Sequence, residues 1–156
     1  MNHFRMLLMV AALGLAATAL AGDTPDLAGT WELNPKKGEN LGMVAAVKET
    51  LVISQTADQL VIDYTDVFQG KTTTRQVTYD LAGAAVVNFA AMGDRSETVS
   101  TWDGDKLITL WTSEGAIAGT AVVRTETRSV AADGSSMTVA TARGDNPPMV
   151  LVYEKQ

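Results

Sequence analysis

The sequence predicts an all-β chain: one antiparallel up-and-down β-barrel of about eight to ten strands. Three observations predict it. Thr, Val and Ala dominate the chain beyond Gly22, and apolar residues recur with period two rather than 3.6. Short runs of Val, Ile, Thr and aromatic residues are separated by turn residues at roughly 8–12-residue intervals, the rhythm of a sandwich or barrel. Three separators, Thr56-Ala57-Asp58, Asp103-Gly104-Asp105 and Asp133-Gly134-Ser135, read as tight hairpins, because Asp-Gly readily supplies the positive φ that such turns demand. A meander of this many strands most simply hides its edges by closing on itself.

The strands are predicted, in order, at Ala28–Leu33, Lys48–Ser54, Gln59–Thr65, Thr72–Asp80, Ala84–Ala90, Arg95–Trp102, Lys106–Ser113, Thr120–Val130, Ser136–Arg143 and Met149–Glu154. The first carries Gly29-Thr30-Trp31, where a glycine lets a large ring or a second chain segment approach. Leu41–Val47, between the first two strands, has the composition of a helical turn. In the third, Leu60, Ile62 and Tyr64 share one face. In the fourth, Thr73, Arg75, Val77 and Tyr79 do. Trp102 and Trp111 lie either on one face or on opposite faces, depending on the length of the turn between them. The eighth strand alternates Arg124, Glu126 and Arg128 with Val123, Thr125 and Thr127. A three-residue loop, Asp133–Ser135, would pair Ala132 with Ser136 and set the charges on the solvated face, whereas a two-residue Asp-Gly loop would pair Arg128 with Val139 and set them on the apolar one. The expectation is therefore the longer loop, with the charges outside. Pro147-Pro148 precedes the last strand, where a missing N–H is tolerated.

The amino terminus has another purpose. Met1–Arg5 is short and basic, Met6–Ala17 is almost wholly apolar, and Ala19-Leu20-Ala21 offers the small residues a signal peptidase reads. The expectation is a signal peptide over residues 1–21, cleaved after Ala21, and a single barrel domain over residues 22–156. Delivery would be to a periplasm or to the exterior, without a stable membrane anchor. Gly22 stands where a lipid-anchored protein needs Cys. The full chain carries a net charge of −6, and loss of Arg5 takes it to −7, a poor balance for nucleic acid. There is no Cys, and the single His, His3, falls in the leader. Imidazole- and thiolate-based catalysis are excluded for the mature chain, as are His or Cys metal ligands. No cofactor, metal site or catalytic residue is assigned. The carboxylates Asp63, Asp66, Asp80 and Glu97 follow no calcium-loop spacing.

Two stretches carry a resemblance. "LAGTWELNPKKG" resembles the GTWxLNxxKS opening of a group of small exported bacterial proteins with a lipocalin-like, calycin-type barrel. "SVAADGSSMTVATARGDNPPMVLVYEKQ" resembles their last hairpin and strand, down to the terminal VYEKQ. Gly29 and Trp31 also match the Gly-x-Trp of lipocalins proper. The resemblance implies that Trp31 packs under an Arg from a late strand, for which Arg143 is the candidate. It implies a lipocalin-like fold and, for the bacterial group, no activity.

A barrel of about eight strands has room for one small ligand or is filled by side chains. On the first alternative, Tyr64, Arg75, Tyr79, Phe89, Trp102 and Trp111 are the expected ligand-binding residues, and Gly29 and Trp31 form a structural plug at one end. The expected partner is a small hydrophobic or amphipathic molecule. The other readings are a non-catalytic envelope interaction protein, and a lipid isomerase or cyclase acting without His or Cys through Tyr64, Tyr79 or a buried Asp.

Overall fold

A computed structural model describes residues 24–156. The expected leader, its cleavage point and Gly22 lie outside the described residues. Ten strands form: β1 (Gly29–Leu33), β2 (Lys48–Gln55), β3 (Gln59–Phe68), β4 (Lys71–Asp80), β5 (Val86–Phe89), β6 (Arg95–Asp103), β7 (Lys106–Glu114), β8 (Ala121–Val130), β9 (Ser136–Ala142) and β10 (Met149–Lys155). Each overlaps an expected strand, and the helical turn is a 3₁₀ turn at Gly42–Ala46. No helix among the described residues is long and apolar enough to cross a membrane.

All pairings are antiparallel, in the order β4-β3-β2-β1-β10-β9-β8-β7-β6-β5. Consecutive strands are paired except β4 and β5, which end the order, and β1, lying beside both β2 and β10, joins the two ends of the meander. The sheet therefore rolls up until β4 and β5 face each other without a backbone ladder. Asn88 bridges this seam. Its Oδ1 accepts the Thr78 N–H at 3.0 Å, and its Nδ2 donates to the Thr78 carbonyl at 2.7 Å. One amide side chain thus copies the donor–acceptor pair that a ladder residue would present. Nδ2 also reaches Thr98 Oγ1 at 2.8 Å, which ties the bridge to β6.

Alternation places one face of every strand inside. Leu51 and Ile53 are buried while Val52 between them is about half exposed. The interior has two halves. At the end that holds the β2–β3, β6–β7 and β8–β9 turns, Leu27, Trp31, Leu60, Leu107 and Met137 form a dry floor. Trp31 is fully buried, and its indole N–H donates to the Leu27 carbonyl at 2.9 Å. Burial of roughly 200 Å² of ring is worth at most about 5 kcal/mol. The cation over the indole is Lys155, its Nζ 5.2 Å from the ring centroid. Arg143, expected there, lies at the opposite end of β9. The reason is register: Lys155 is the direct cross-strand partner of Trp31. Gly29 clears its path, since a Cβ there would lie 2.9 Å from Lys155 Cε.

Two registers needed the structure. Trp102 pairs with Leu107 and Thr98 with Trp111, so both tryptophans face inward, Trp102 beside the floor. In the β8–β9 hairpin, Arg128 pairs with Val139, not with the residue beside it. The last hydrogen-bonded pair is Ala131 and Ser136, with the Ala131 N–H 2.9 Å from the Ser136 carbonyl, so Ala132–Ser135 form an even-numbered loop instead of an odd one. Gly134, at φ 70°, and Asp133, whose Oδ1 accepts the Ser135 N–H at 3.0 Å, shape it. That single-residue difference inverts the faces of the hairpin, and the charged ladder expected outside lies inside.

The seam gives a test. Asn88→Leu should expose the Thr78 amide to exchange and cost about 1–3 kcal/mol, the penalty of orphaned buried polar groups. Hydrogen exchange read residue by residue along β4 and β5 checks it. Unchanged protection at Thr78 would show that the bridge does not hold the seam.

Candidate functional site

Strands β2, β3, β4, β8 and β10 send polar side chains into the half of the barrel above the floor. The register of β8 makes this possible, because it turns Glu126 and Arg128 inward against β3 and β4. Arg128 is 1% exposed. Its Nη1 forms an ion pair with Glu126 Oε1. Its Nη2 donates to the hydroxyls of Tyr64 at 3.0 Å and Tyr79 at 3.3 Å. The Tyr79 hydroxyl donates to Glu126 Oε1 at 3.4 Å, and the guanidinium carbon stands 5.0 Å from the Tyr79 ring centroid. Burial alone works against the charge of Arg128. Glu126 and the two phenols more than offset that, and its pKa is raised well above the ordinary arginine value. Burial raises the pKa of both phenols too, so they remain neutral donors.

A second group meets the first at Tyr64. Arg75 lies over its ring, 3.8 Å from the centroid. Arg75 Nη1 reaches Asp66 Oδ2 at 2.5 Å and Nη2 reaches Glu49 Oε2 at 3.4 Å. The Tyr153 hydroxyl donates to Glu49 Oε1 at 2.5 Å. Burial, and then the nearby Asp66 carboxylate, push the Glu49 pKa up to about 7, against the pull of Tyr153 and Arg75. Tyr64 thus has its face held by one arginine and its hydroxyl by another.

Between these groups and Trp111 is a cavity of about 190 Å³. Val77, Val139 and Leu151 give it apolar wall, and Glu49, Tyr64 and Tyr153 give it polar wall. A larger recess, about 460 Å³, lies beyond it at the end holding the β5–β6, β7–β8 and β9–β10 connections, lined by Arg95, Ser96, Val122 and Arg143 among others. Ala90, Trp111 and Arg124 border both. The Trp111 ring stacks under the Arg124 guanidinium at 4.3 Å and meets the Tyr79 ring edge-on, with centroids 6.0 Å apart.

Of the residues expected to bind a ligand, the structure brings Tyr64, Arg75 and Trp111 together on the cavity wall. Tyr79 is inside but belongs to the Arg128 network beneath that wall. Trp102 packs against the floor. Phe89 departs from the expectation: it is 57% exposed, on the outward face of β5, because Asn88 takes the inward position there. Gly29 and Trp31 lie at the closed end. Asp63 meets Gln76 at 2.8 Å with its strand neighbours buried on the other face, and Asp80 Oδ1 accepts the Ala82 and Ala84 N–H groups in a turn, each at 2.9 Å. Among the described residues no three His, Cys, Asp or Glu side chains gather as metal ligands. Sequence reasoning missed Glu49, Arg124, Glu126, Arg128 and Tyr153. Glu49 and Tyr153 were findable, since each shares a period-two face with buried Leu51 or Leu151.

Two measurements follow. Arg128→Met should cost about 3–5 kcal/mol in denaturant unfolding, because it leaves Glu126 buried without its partner. Adding Glu126→Leu should recover part of that loss, and no recovery would mean the ion pair is not what the single variant breaks. For Glu49, the unfolded chain releases its proton near 4.5 and the folded chain near 7, so the folded state binds more protons between those values. Stability from this group is full below the lower value and falls as pH rises through the window, by something on the order of 2–3 kcal/mol. Unfolding curves from pH 5 to 8 should show this slope in the parent protein and lose it in Glu49→Gln.

No protein-family model matches the chain, and no curated protein matches it. Solved structures do. A REP1-NXSQ fatty acid transporter aligns with a TM-score of 0.65 at 20% identity, over 83% of this chain and 96% of its own. Human cRBP IV aligns with a TM-score of 0.64 at 16% identity, over 85% and 99%. The fatty-acid-binding protein 1 of Echinococcus granulosus aligns with a TM-score of 0.61 at 16% identity, over 83% and 96%. At these identities the likeness is one of architecture alone: a ten-stranded, nearly closed antiparallel barrel.

Proposed function

We propose that this chain is an exported binding protein for a small apolar or amphipathic molecule, held in the cavity between Tyr64, Trp111 and Leu151. The observation that carries the reading is a cavity in the barrel interior with mixed apolar and polar walls, which shares Ala90, Trp111 and Arg124 with a recess at one end. A ligand site combines apolar wall with polar groups that fix orientation, and this cavity is rich in the latter, with Glu49, Arg75, Arg124 and Glu126 beside Val77, Val139 and Leu151. The polar groups here are held by their neighbours: Tyr64 between two arginines, Trp111 between Arg124 and Tyr79. Such a wall is ordered before a ligand arrives, which lowers the entropic cost of binding. The solved structures of similar architecture include proteins named for fatty-acid transport and binding, which supports the same class of ligand. The inner cavity lies below the roughly 300–1,000 Å³ of drug-sized sites, so a longer ligand would extend into the recess. The leader pattern of Met1–Ala21 supports delivery across a membrane.

Titration with the neutral fluorescent probe N-phenyl-1-naphthylamine tests the cavity. The probe should bind the parent protein, and Val139→Phe, which fills the cavity, should weaken it at least about tenfold, equivalent to about 1.4 kcal/mol. Equal binding by a folded Val139→Phe variant would place the ligand elsewhere. Amino-terminal sequencing of protein recovered from its host should begin at Gly22, and a chain beginning at Met1 would overturn export.

A further inference from the structure

We infer that the recess at the open end is an oxyanion subsite, in which Arg124 and Arg143 hold the head group of an amphipathic ligand whose tail lies in the cavity behind. The inference rests on the binding role proposed above and specifies the ligand.

The β8–β9 ladder ends at Thr125 opposite Ala142. The next position outward sets Arg124 opposite Arg143, and both side chains line the recess. Two cations in direct cross-strand register repel each other. Neither is in an ion pair among the described residues, in contrast to Arg75 and Arg128. Arg95 lines the same recess, also outside any ion pair there. Asp94 and Glu114 contribute two carboxylates to the wall, against three guanidinium groups.

Two buried donors at this wall have no hydrogen-bond partner: Arg124 Nε and Trp111 Nε1. Buried donors are nearly always paired, so two together, both on side chains that border the recess, call for an acceptor. Both belong to side chains already fixed by their mutual stacking at 4.3 Å. A group rich in acceptors and negative charge answers both needs, and a carboxylate or phosphate head matches guanidinium geometry.

The deep arginine is not an alternative seat for that head. Arg128 is engaged by Glu126, Tyr64 and Tyr79 and is sealed from solvent. Arg75, on the wall of the cavity behind Trp111, is held by Asp66 and Glu49, and Glu126 there by Arg128, so the groups of that wall left for a tail are Val77, Val139, Met149 and Leu151. The ligand therefore enters tail first and leaves its charge at the mouth.

The experiment compares three ten-carbon probes on the mature chain at pH 8: decanoate, 1-decanol and decyl phosphate. Decanoate and decyl phosphate should each bind at least about tenfold more tightly than decanol, and salt should narrow the gap. Arg143→Gln should cut the affinity for decanoate about tenfold and leave decanol unchanged, whereas Arg124→Gln, which also loosens Trp111 on the cavity wall, should weaken both and decanoate about tenfold more than decanol. Arg143 is exposed, so its variant tests the idea without disturbing the core. If decanol binds as tightly as decanoate, or the preference survives both substitutions, the subsite is wrong and the binding role stands. If none of the three probes binds, nor N-phenyl-1-naphthylamine, the binding role falls and the subsite with it.

Discussion

The interior is organised around one buried cation. Arg128 is enclosed by the barrel, and an isolated charge there would cost far more than the domain's whole stability. It is tolerable because Glu126 lies two residues away on the same face and because Tyr64 and Tyr79 arrive from the opposite wall. Those phenols come from strands far from β8 in the sheet order, so the pairing is made only when the sheet has rolled up. The fold supplies the partners, and the partners hold the fold's curvature. A buried pair of this kind is weak evidence for stability by itself. Its effect here is to select one closed arrangement, because any slip of β8 by one residue would strand Arg128 without its phenols.

That constraint divides the molecule. Below the network, Trp31 and its neighbours fill the barrel, with Lys155 lying across the indole. Above it, side chains are too engaged with one another to fill the space, and a cavity remains. Glu49 and Arg75 extend the polar layer from Tyr64 towards β2 and Asp66. The seam between β4 and β5 lies beside this layer and is spanned by an amide side chain rather than a ladder. A hydrogen-bonded side-chain bridge opens more readily than a run of paired backbone, which makes the seam softer than a laddered stretch of the wall.

The strand pattern was legible because it depends on local chemistry. Most of the ten strands have their own alternation of Val, Ile, Leu or Thr with polar residues (β5, Val-Val-Asn-Phe, and β10, which opens Met-Val-Leu-Val-Tyr, do not), and each turn has its own Gly or Asp. Trp31 at the closed end was legible in the same way. Part of the site was too, since Tyr64 and Arg75 sit on faces that carry Ile62 or Val77. The ladder on β8 was misread because it rested on the rule that charge goes outside. Counting one loop residue too few inverted the hairpin, and no local feature of Arg124-Thr125-Glu126-Thr127-Arg128 distinguishes a solvated ladder from a self-neutralised one. Phe89 was misread for a related reason: Asn88 takes the inward position, and its partner, Thr78, is visible only across the seam.

The sequence by itself determined the strand content, the antiparallel meander, the alternation of each strand and the absence of thiol and imidazole chemistry from residues 24–156. Those properties are set by neighbours in the chain. Tertiary structure alone decided which face of β8 is inside, which cation covers Trp31, and whether the interior is hollow. Each of these depends on one residue of register or on groups meeting from opposite walls, and the energies involved exist only once the barrel has excluded water from between them.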